Sequence, residues 1–235
     1  MKRLTVVLFP LGLATIAGLL VALSGSPQAA KDYQVAYHPE QPIHFNHRLH
    51  AGEMQIDCQF CHTYARRSPS SGVPTVQTCM SCHKVVNGRT EAGKADVQKL
   101  RDAYAKNEPI EWVKVHDLQD FVYYTHRAHI QIGQDLAKVG DEGFTCQDCH
   151  GPVEKMETAE LRAWDPELDE QPLTMGWCLT CHIKKSKDAA LVIKLKKEAF
   201  QQGVPWETLI GKVEATEHDV EMTKYRLRDC WTCHK

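Results

Sequence analysis

The sequence predicts a mainly α-helical chain with extensive loops and very little β structure: an N-terminal transmembrane helix followed by a compact domain built on a duplicated unit. Three observations predict this. An uncharged stretch runs from Leu4 to Ser24 directly after Lys2 and Arg3. All ten cysteines fall into a single motif, Cys-x-x-Cys-His, repeated five times. A His-x-x-His pair precedes each of two couples of those motifs, so the chain contains an internal repeat.

The N-terminal stretch carries Val6, Val7, Leu8, Phe9, Leu11, Leu13, Ile16, Leu19, Leu20, Val21 and Leu23. About 20 apolar residues cross a bilayer, whereas a cleaved signal has an apolar region of about 7–15. The length favours an anchor with Lys2 and Arg3 on the cytoplasmic side. Ala22-Leu23-Ser24 is an acceptable small-x-small cleavage site, which keeps an ordinary signal peptide as the alternative. With an anchor, the chain is expected to be single-pass in the cytoplasmic membrane, its main domain on the extracytoplasmic side. The expected organisation is an anchor over 1–25, a tether over 26–42, a first unit with its linker over 43–120, a second unit over 121–187, and a C-terminal helix and last motif over 188–235.

The five motifs are Cys58/Cys61/His62, Cys79/Cys82/His83, Cys146/Cys149/His150, Cys178/Cys181/His182 and Cys230/Cys233/His234. In the c-type haem site two thiols form thioethers to the porphyrin and the adjacent histidine is delivered to the iron. Cys-x-x-Cys alone also serves zinc sites and thiol redox pairs. A zinc protein has no use for a histidine fixed after every cysteine pair, and a disulfide framework has no reason to space all its cysteines alike. Five covalent haems c are therefore expected, with His62, His83, His150, His182 and His234 as proximal ligands. The haem faces are expected to supply much of the core, at about 25 cal/mol per Å² of apolar surface buried.

The pairs His47-Arg48-Leu49-His50 and His126-Arg127-Ala128-His129 each follow an aromatic run, Phe45-Asn46 and Tyr123-Tyr124-Thr125. Two further histidines for every two haems is the number bis-histidine ligation needs, and a spacing of three on a short helix puts both imidazoles on one side. His47, His50, His126 and His129 are the expected distal ligands. His44, His38 and His116 read as non-ligands, His116 as a hydrogen-bonding residue. The fifth haem has no such partner. His218, Met80, Met156, Met175 and Met222 are available, and Met175 in Leu173-Thr174-Met175-Gly176-Trp177 is the favoured sixth ligand, raising the potential relative to histidine.

Helical character is evident over 95–105 and 189–202, the latter stopped by Gly203 and Pro205. The lysines around 184–187 and 194–197 read as a solvated face. A formal net charge of −2 argues against a nucleic-acid partner. No acid/base pair, nucleophile triad or nucleotide loop is present, so no catalytic site of its own is expected.

The stretches PIHFNHRLHAGEMQIDCQFCHT, PTVQTCMSCHK, WVKVHDLQDFVYYTHRAH, CQDCHGPVEKMET and LTMGWCLTCH together resemble the pentahaem cytochrome c subunit of alternative complex III, a bacterial quinol oxidoreductase, related to class III multihaem cytochromes. Motif number, motif order and the His-x-x-His pairs agree from about Pro39 onward. Tyr124-Thr125 stands in place of Phe-Asn, and Ile183 in place of a basic residue, without touching a ligand position. The resemblance implies an electron relay in a quinol-oxidising respiratory or photosynthetic complex. It also implies partners: an iron-sulfur subunit, polytopic quinol-binding subunits and a monohaem cytochrome, with a cytochrome c, blue copper protein or oxidase as acceptor. The rival readings are a stand-alone membrane-anchored quinol dehydrogenase and a multihaem oxyanion reductase.

Overall fold

A computed structural model describes residues 37–161, 165 and 167–234. The architecture is helical, with nine α-helices among the described residues: α1 (Cys58–Cys61), α2 (Val76–His83), α3 (Glu91–Lys106), α4 (His126–Lys138), α5 (Cys146–His150), α6 (Met175–Lys184), α7 (Ser186–Gln202), α8 (Glu217–Arg228) and α9 (Cys230–Cys233). A π-helical segment, Arg48–Glu53, precedes α1, and 3₁₀ turns lie at Val153–Lys155 and Trp206–Leu209. Pairing of β type among the described residues is confined to the isolated bridges Tyr37 with Leu161, Val122 with His234 and Asp165 with Glu170. The expectation of very little β structure holds.

The fold class is corrected on one point. Residues 1–25, where the sequence places a transmembrane helix, lie outside the described residues, and among the described residues no helix is long and apolar enough to cross a membrane. The longest described helix, α7, has 17 residues and carries Lys187, Lys194, Lys196 and Lys197. The described architecture is therefore a helical, loop-rich domain without a span.

Every Cys-x-x-Cys lies on a short helix that an oxygen-bearing side chain starts. Asp57 accepts a hydrogen bond from the Gln59 N–H at 2.7 Å, Thr75 from Thr78 at 3.3 Å, Thr174 from Trp177 at 3.3 Å and Asp229 from Trp231 at 3.1 Å. Thr145 and Asp148 form a capping box around α5. Helices this short are not stable alone, and the caps satisfy N–H groups that the helix leaves free. One turn of helix then presents the two thiols and the histidine as a unit.

The two longer helices expected from periodicity form, with wider bounds. α3 starts at its Thr90 cap and ends at Asn107, which adopts the left-handed region at φ 56°. α7 starts at Ser186 and ends at Gly203, φ 66°. α7 packs against α8, α4, α6 and the Trp206–Leu209 turn. There Leu195, Ala199 and Leu209 form a small buried cluster, flanked by Val139, Leu191, Trp206 and Val213. This side-chain core sits at the C-terminal end of the domain; of the helices α1, α2 and α5 themselves, only α2 contributes a buried apolar side chain, Met80.

Candidate haem-binding sites

None of the ten cysteines is in a disulfide. Burial pushes several thiols above their ordinary range: Cys178 up to about 11, through burial first and then neighbouring Cys233 and Cys181, and Cys61 and Cys79 upward for the same first reason.

Three histidine pairs face each other at one spacing. His50 and His83 have ring centroids 6.2 Å apart, His126 and His150 6.2 Å, and His129 and His182 6.1 Å. Two imidazoles on opposite faces of one iron, each nitrogen about 2.0 Å from the metal and each ring centre about 1.1 Å behind it, have centres about 6.2 Å apart. The pairs fit an iron between them. Among the described residues no three of His, Cys, Asp and Glu converge into a group that could hold a bare metal ion. Each pair contains the histidine of a Cys-x-x-Cys-His motif, so its two imidazoles would hold the iron of a haem that the two thiols of that motif would fix.

The tautomers support the same use. Nδ1–H of His50 donates to the Asn46 carbonyl at 2.8 Å, of His62 to Gly72 at 2.7 Å, of His83 to Val86 at 3.2 Å, of His126 to Pro69 at 2.8 Å, of His129 to Thr125 at 2.9 Å and of His182 to Leu227 at 3.0 Å. A carbonyl only accepts, so the proton is on Nδ1 and the Nε2 lone pair is left for a metal. His47 is the partner left for His62: burial lowers its pKa to about 4, with His62 the next cause and His50 the third. It is neutral at pH 7 and ligand-competent.

The pairing follows the repeat. The first histidine of each His-x-x-His goes with the nearer motif (His47 beside His62, His126 opposite His150), and the second goes with the farther one (His50 opposite His83, His129 opposite His182). Local backbone differs between units. His126 and His129 lie in the first turn of α4, whereas His47 caps, and His50 lies within, the π-helical segment.

Cysteines of different motifs are also neighbours. Cys61 of the first lies against Cys79 and Cys82 of the second. Cys58 lies within hydrogen-bond reach of Cys146 of the third, and the Pro69 carbonyl, beyond the first motif, holds His126. Tyr124 lies among Cys146, Cys149, Cys178 and Cys181 of the third and fourth. Cys178 neighbours Cys233 of the fifth.

His234 differs from the rest. Its ring neighbour is Phe121, 5.7 Å away, and its backbone bridges to Val122 while the Tyr123 N–H donates to the Cys233 carbonyl at 2.5 Å. Met175, the sixth ligand favoured from sequence, opens α6 with 68% of its surface exposed. His218 and Met222 are exposed on α8, and Met80 is buried within α2. His116 packs edge-on against His150 at 4.4 Å, with its buried Nε2 lacking a partner and its pKa lowered to about 4 by burial and then by His126. Sequence spacing gave no sign of that contact.

Residues 54–235 match the family model of outer membrane cytochromes, MtrC/MtrF-like, domains II/IV. The multihaem cytochrome c subunit of menaquinone reductase from Nitratidesulfovibrio vulgaris is 24% identical over 150 residues, covering 63% of this chain and 70% of that protein. With the family model spanning most of its length, the chain belongs to the MtrC/MtrF-like multihaem cytochrome family, whose members carry covalently bound c-type haem.

Proposed function

We propose that this chain is a pentahaem c-type cytochrome that relays electrons within a quinol-oxidising membrane complex of the alternative complex III kind. The observation that carries the reading is the set of facing imidazoles at 6.1–6.2 Å, each joined to a Cys-x-x-Cys-His motif. An iron held by two imidazoles would suit outer-sphere electron transfer, not substrate binding. The bound haems supply one-electron carriage. The polypeptide supplies the thiols that fix them, the neutral imidazoles that hold the irons, and carbonyls that orient those imidazoles.

The relative from N. vulgaris is by name a subunit of a menaquinone reductase, which supports a place in a quinone-linked assembly. The proposed partners are an iron-sulfur subunit, polytopic quinol-binding subunits and a monohaem cytochrome, with a soluble cytochrome c, a blue copper protein or an oxidase as acceptor. The haem domain is assigned to the extracytoplasmic side, where exported thiols meet oxidising conditions and c-type haem is attached.

The test is purification of the native protein in mild detergent, with mass spectrometry of co-purifying chains and haem spectra of the same sample. Recovery with an iron-sulfur subunit and polytopic proteins, at five haems per chain, is the expected result; a lone chain oxidising quinol by itself would replace the relay with a stand-alone dehydrogenase. One observation favours a second reading, an oxyanion reductase with its reaction at the fifth site: the ring beside His234 is Phe121 and not an imidazole. A change in the haem spectrum on adding nitrite would support it.

A further inference from the structure

Phe45 and Tyr124 each stand two residues before the first histidine of a His-x-x-His pair, and both meet their pair in the same geometry. Phe45 is edge-on to His47, with centroids 4.8 Å apart and planes at 83°, and stacked on His50 at 4.5 Å and 24°. Tyr124 is edge-on to His126 at 4.9 Å and 88°, and stacked on His129 at 4.4 Å and 26°. The correspondence holds although one pair sits on a π-helical segment and the other on an α-helix. Up to the second histidine the backbone agrees as well, its N–H donating to the carbonyl of the residue before the first (His50 to Asn46 at 3.2 Å, His129 to Thr125 at 3.4 Å), and the aromatic ring is the side-chain element common to both.

An iron–nitrogen bond fixes where an imidazole nitrogen lies and leaves the ring free to turn about that bond. A hydrogen bond at Nδ1 removes part of this freedom. A ring packed against the imidazole face removes the rest, because offset-stacked and edge-to-face contacts are each worth about 0.5–1.5 kcal/mol beyond burial and are lost on rotation. His47 makes the need plain: its Nδ1 is buried without a hydrogen-bond partner, so the Phe45 edge is the contact left to orient it.

We propose that Phe45 and Tyr124 are positioning residues, each fixing the planes of two distal imidazoles that serve two different irons. This rests on the axial pairing argued above. Each ring acts on two neighbouring sites at once, so one side chain sets the electronic character of a couple of haems jointly. Imidazole orientation matters because parallel rings donate into the same iron d orbital and split it from its partner, whereas crossed rings reduce that splitting. The pairs on the Tyr124 side lie near parallel, 6° for His126 with His150 and 19° for His129 with His182. His50 and His83, on the Phe45 side, stand at 51°.

The experiment compares the full-length holoprotein with Tyr124→Phe, Tyr124→Leu and Tyr124→Met by haem content, low-temperature electron paramagnetic resonance and redox titration. Tyr124→Phe should reproduce the parent spectrum, because Phe45 serves the first unit without a hydroxyl. Tyr124→Leu should keep the parent haem content while the largest g values of two low-spin signals, and the midpoint potentials of the same two sites, move. Tyr124→Met keeps apolar bulk without a flat face; it should behave like Tyr124→Leu and stands in for it if that variant does not accumulate. Unmoved signals and potentials in the Leu or Met variant would overturn the proposal. A parent spectrum without bis-imidazole low-spin signals would instead overturn the pairing itself.

Discussion

The imidazoles of His126 and His150 face each other 6.2 Å apart with their planes 6° from parallel, one from the start of α4 and the other from the end of α5. The Pro69 carbonyl fixes the His126 ring from the far side by accepting its Nδ1–H. Replacing His126 by alanine removes one axial nitrogen and leaves both thiols of the motif in place. The expected product keeps five covalent haems, one of which changes from low-spin to high-spin. Electron paramagnetic resonance together with haem quantification measures both, and an all-low-spin spectrum would show that another side chain takes the position.

The fifth motif is held by a different set of contacts, and its loss should be separable. Asp229 caps the single turn that carries Cys230 and Cys233, and the Cys233 carbonyl accepts from Tyr123. With both thiols replaced, Cys230→Ser and Cys233→Ser, the chain is expected to carry four haems instead of five. Intact-protein mass spectrometry should show the loss of one haem mass. The low-spin signals assigned to the His-x-x-His pairs should persist, since none of those residues is on α9.

Much of the site was legible from residue spacing, because haem attachment is a local covalent pattern. Five motifs read from sequence lie on five capped helical turns, and the aromatic-plus-histidine repeat folds into two equivalent clusters. What spacing could not convey was pairing across the chain. His50 faces His83 and His129 faces His182 over intervals of unequal length, and local sequence does not encode such a distance. α8 was also missed. Its apolar positions, Val220, Leu227 and the exposed Met222 and Tyr225, make no continuous stripe, and its start is announced only by the Thr216–Asp219 capping box. Packing on α7 and α6 accounts for that helix better than its own periodicity does.

Lys185 and Asp141 join the end of α6 to the turn after α4 through an ion pair of 2.6 Å, with both side chains largely shielded from solvent. Burial alone would raise the Asp141 pKa. Lys185 and the Gly143 N–H outweigh it and hold the carboxyl below its ordinary value of 3.8. A depressed carboxyl pKa contributes stability that is fully present above the unfolded value, about 3.9, and is lost as pH falls through the lower folded one. Asp141→Asn leaves the Lys185 ammonium without its counter-charge and is expected to cost about 1–3 kcal/mol at pH 7. In denaturant unfolding, the difference between parent and variant should shrink as the pH drops below that value, where the parent carboxyl is itself protonated. A difference independent of pH would assign the effect to packing.

Gly52 lies at a close backbone contact between the two units. The π-helical segment that carries His50 lies against the Val153–Lys155 turn beyond the third motif, through backbone bonds from His47 N–H to Glu157 at 3.1 Å and from Arg48 N–H to Met156 at 2.7 Å. An Arg48–Glu157 ion pair of 2.6 Å adds to the contact, although both side chains are exposed and such pairs contribute little. A β-carbon on Gly52 would overlap the Glu154 carbonyl oxygen, an atom of the opposing backbone that cannot swing aside. Gly52→Ala should therefore force the segment outward at about 1–3 kcal/mol, the usual cost of overpacking. Because His47 and His50 move with it, the low-spin signals of the first and second sites should shift while those of the third and fourth stay. Spectra unchanged at all four sites, with parent stability, would mean that the two units are not docked through this glycine.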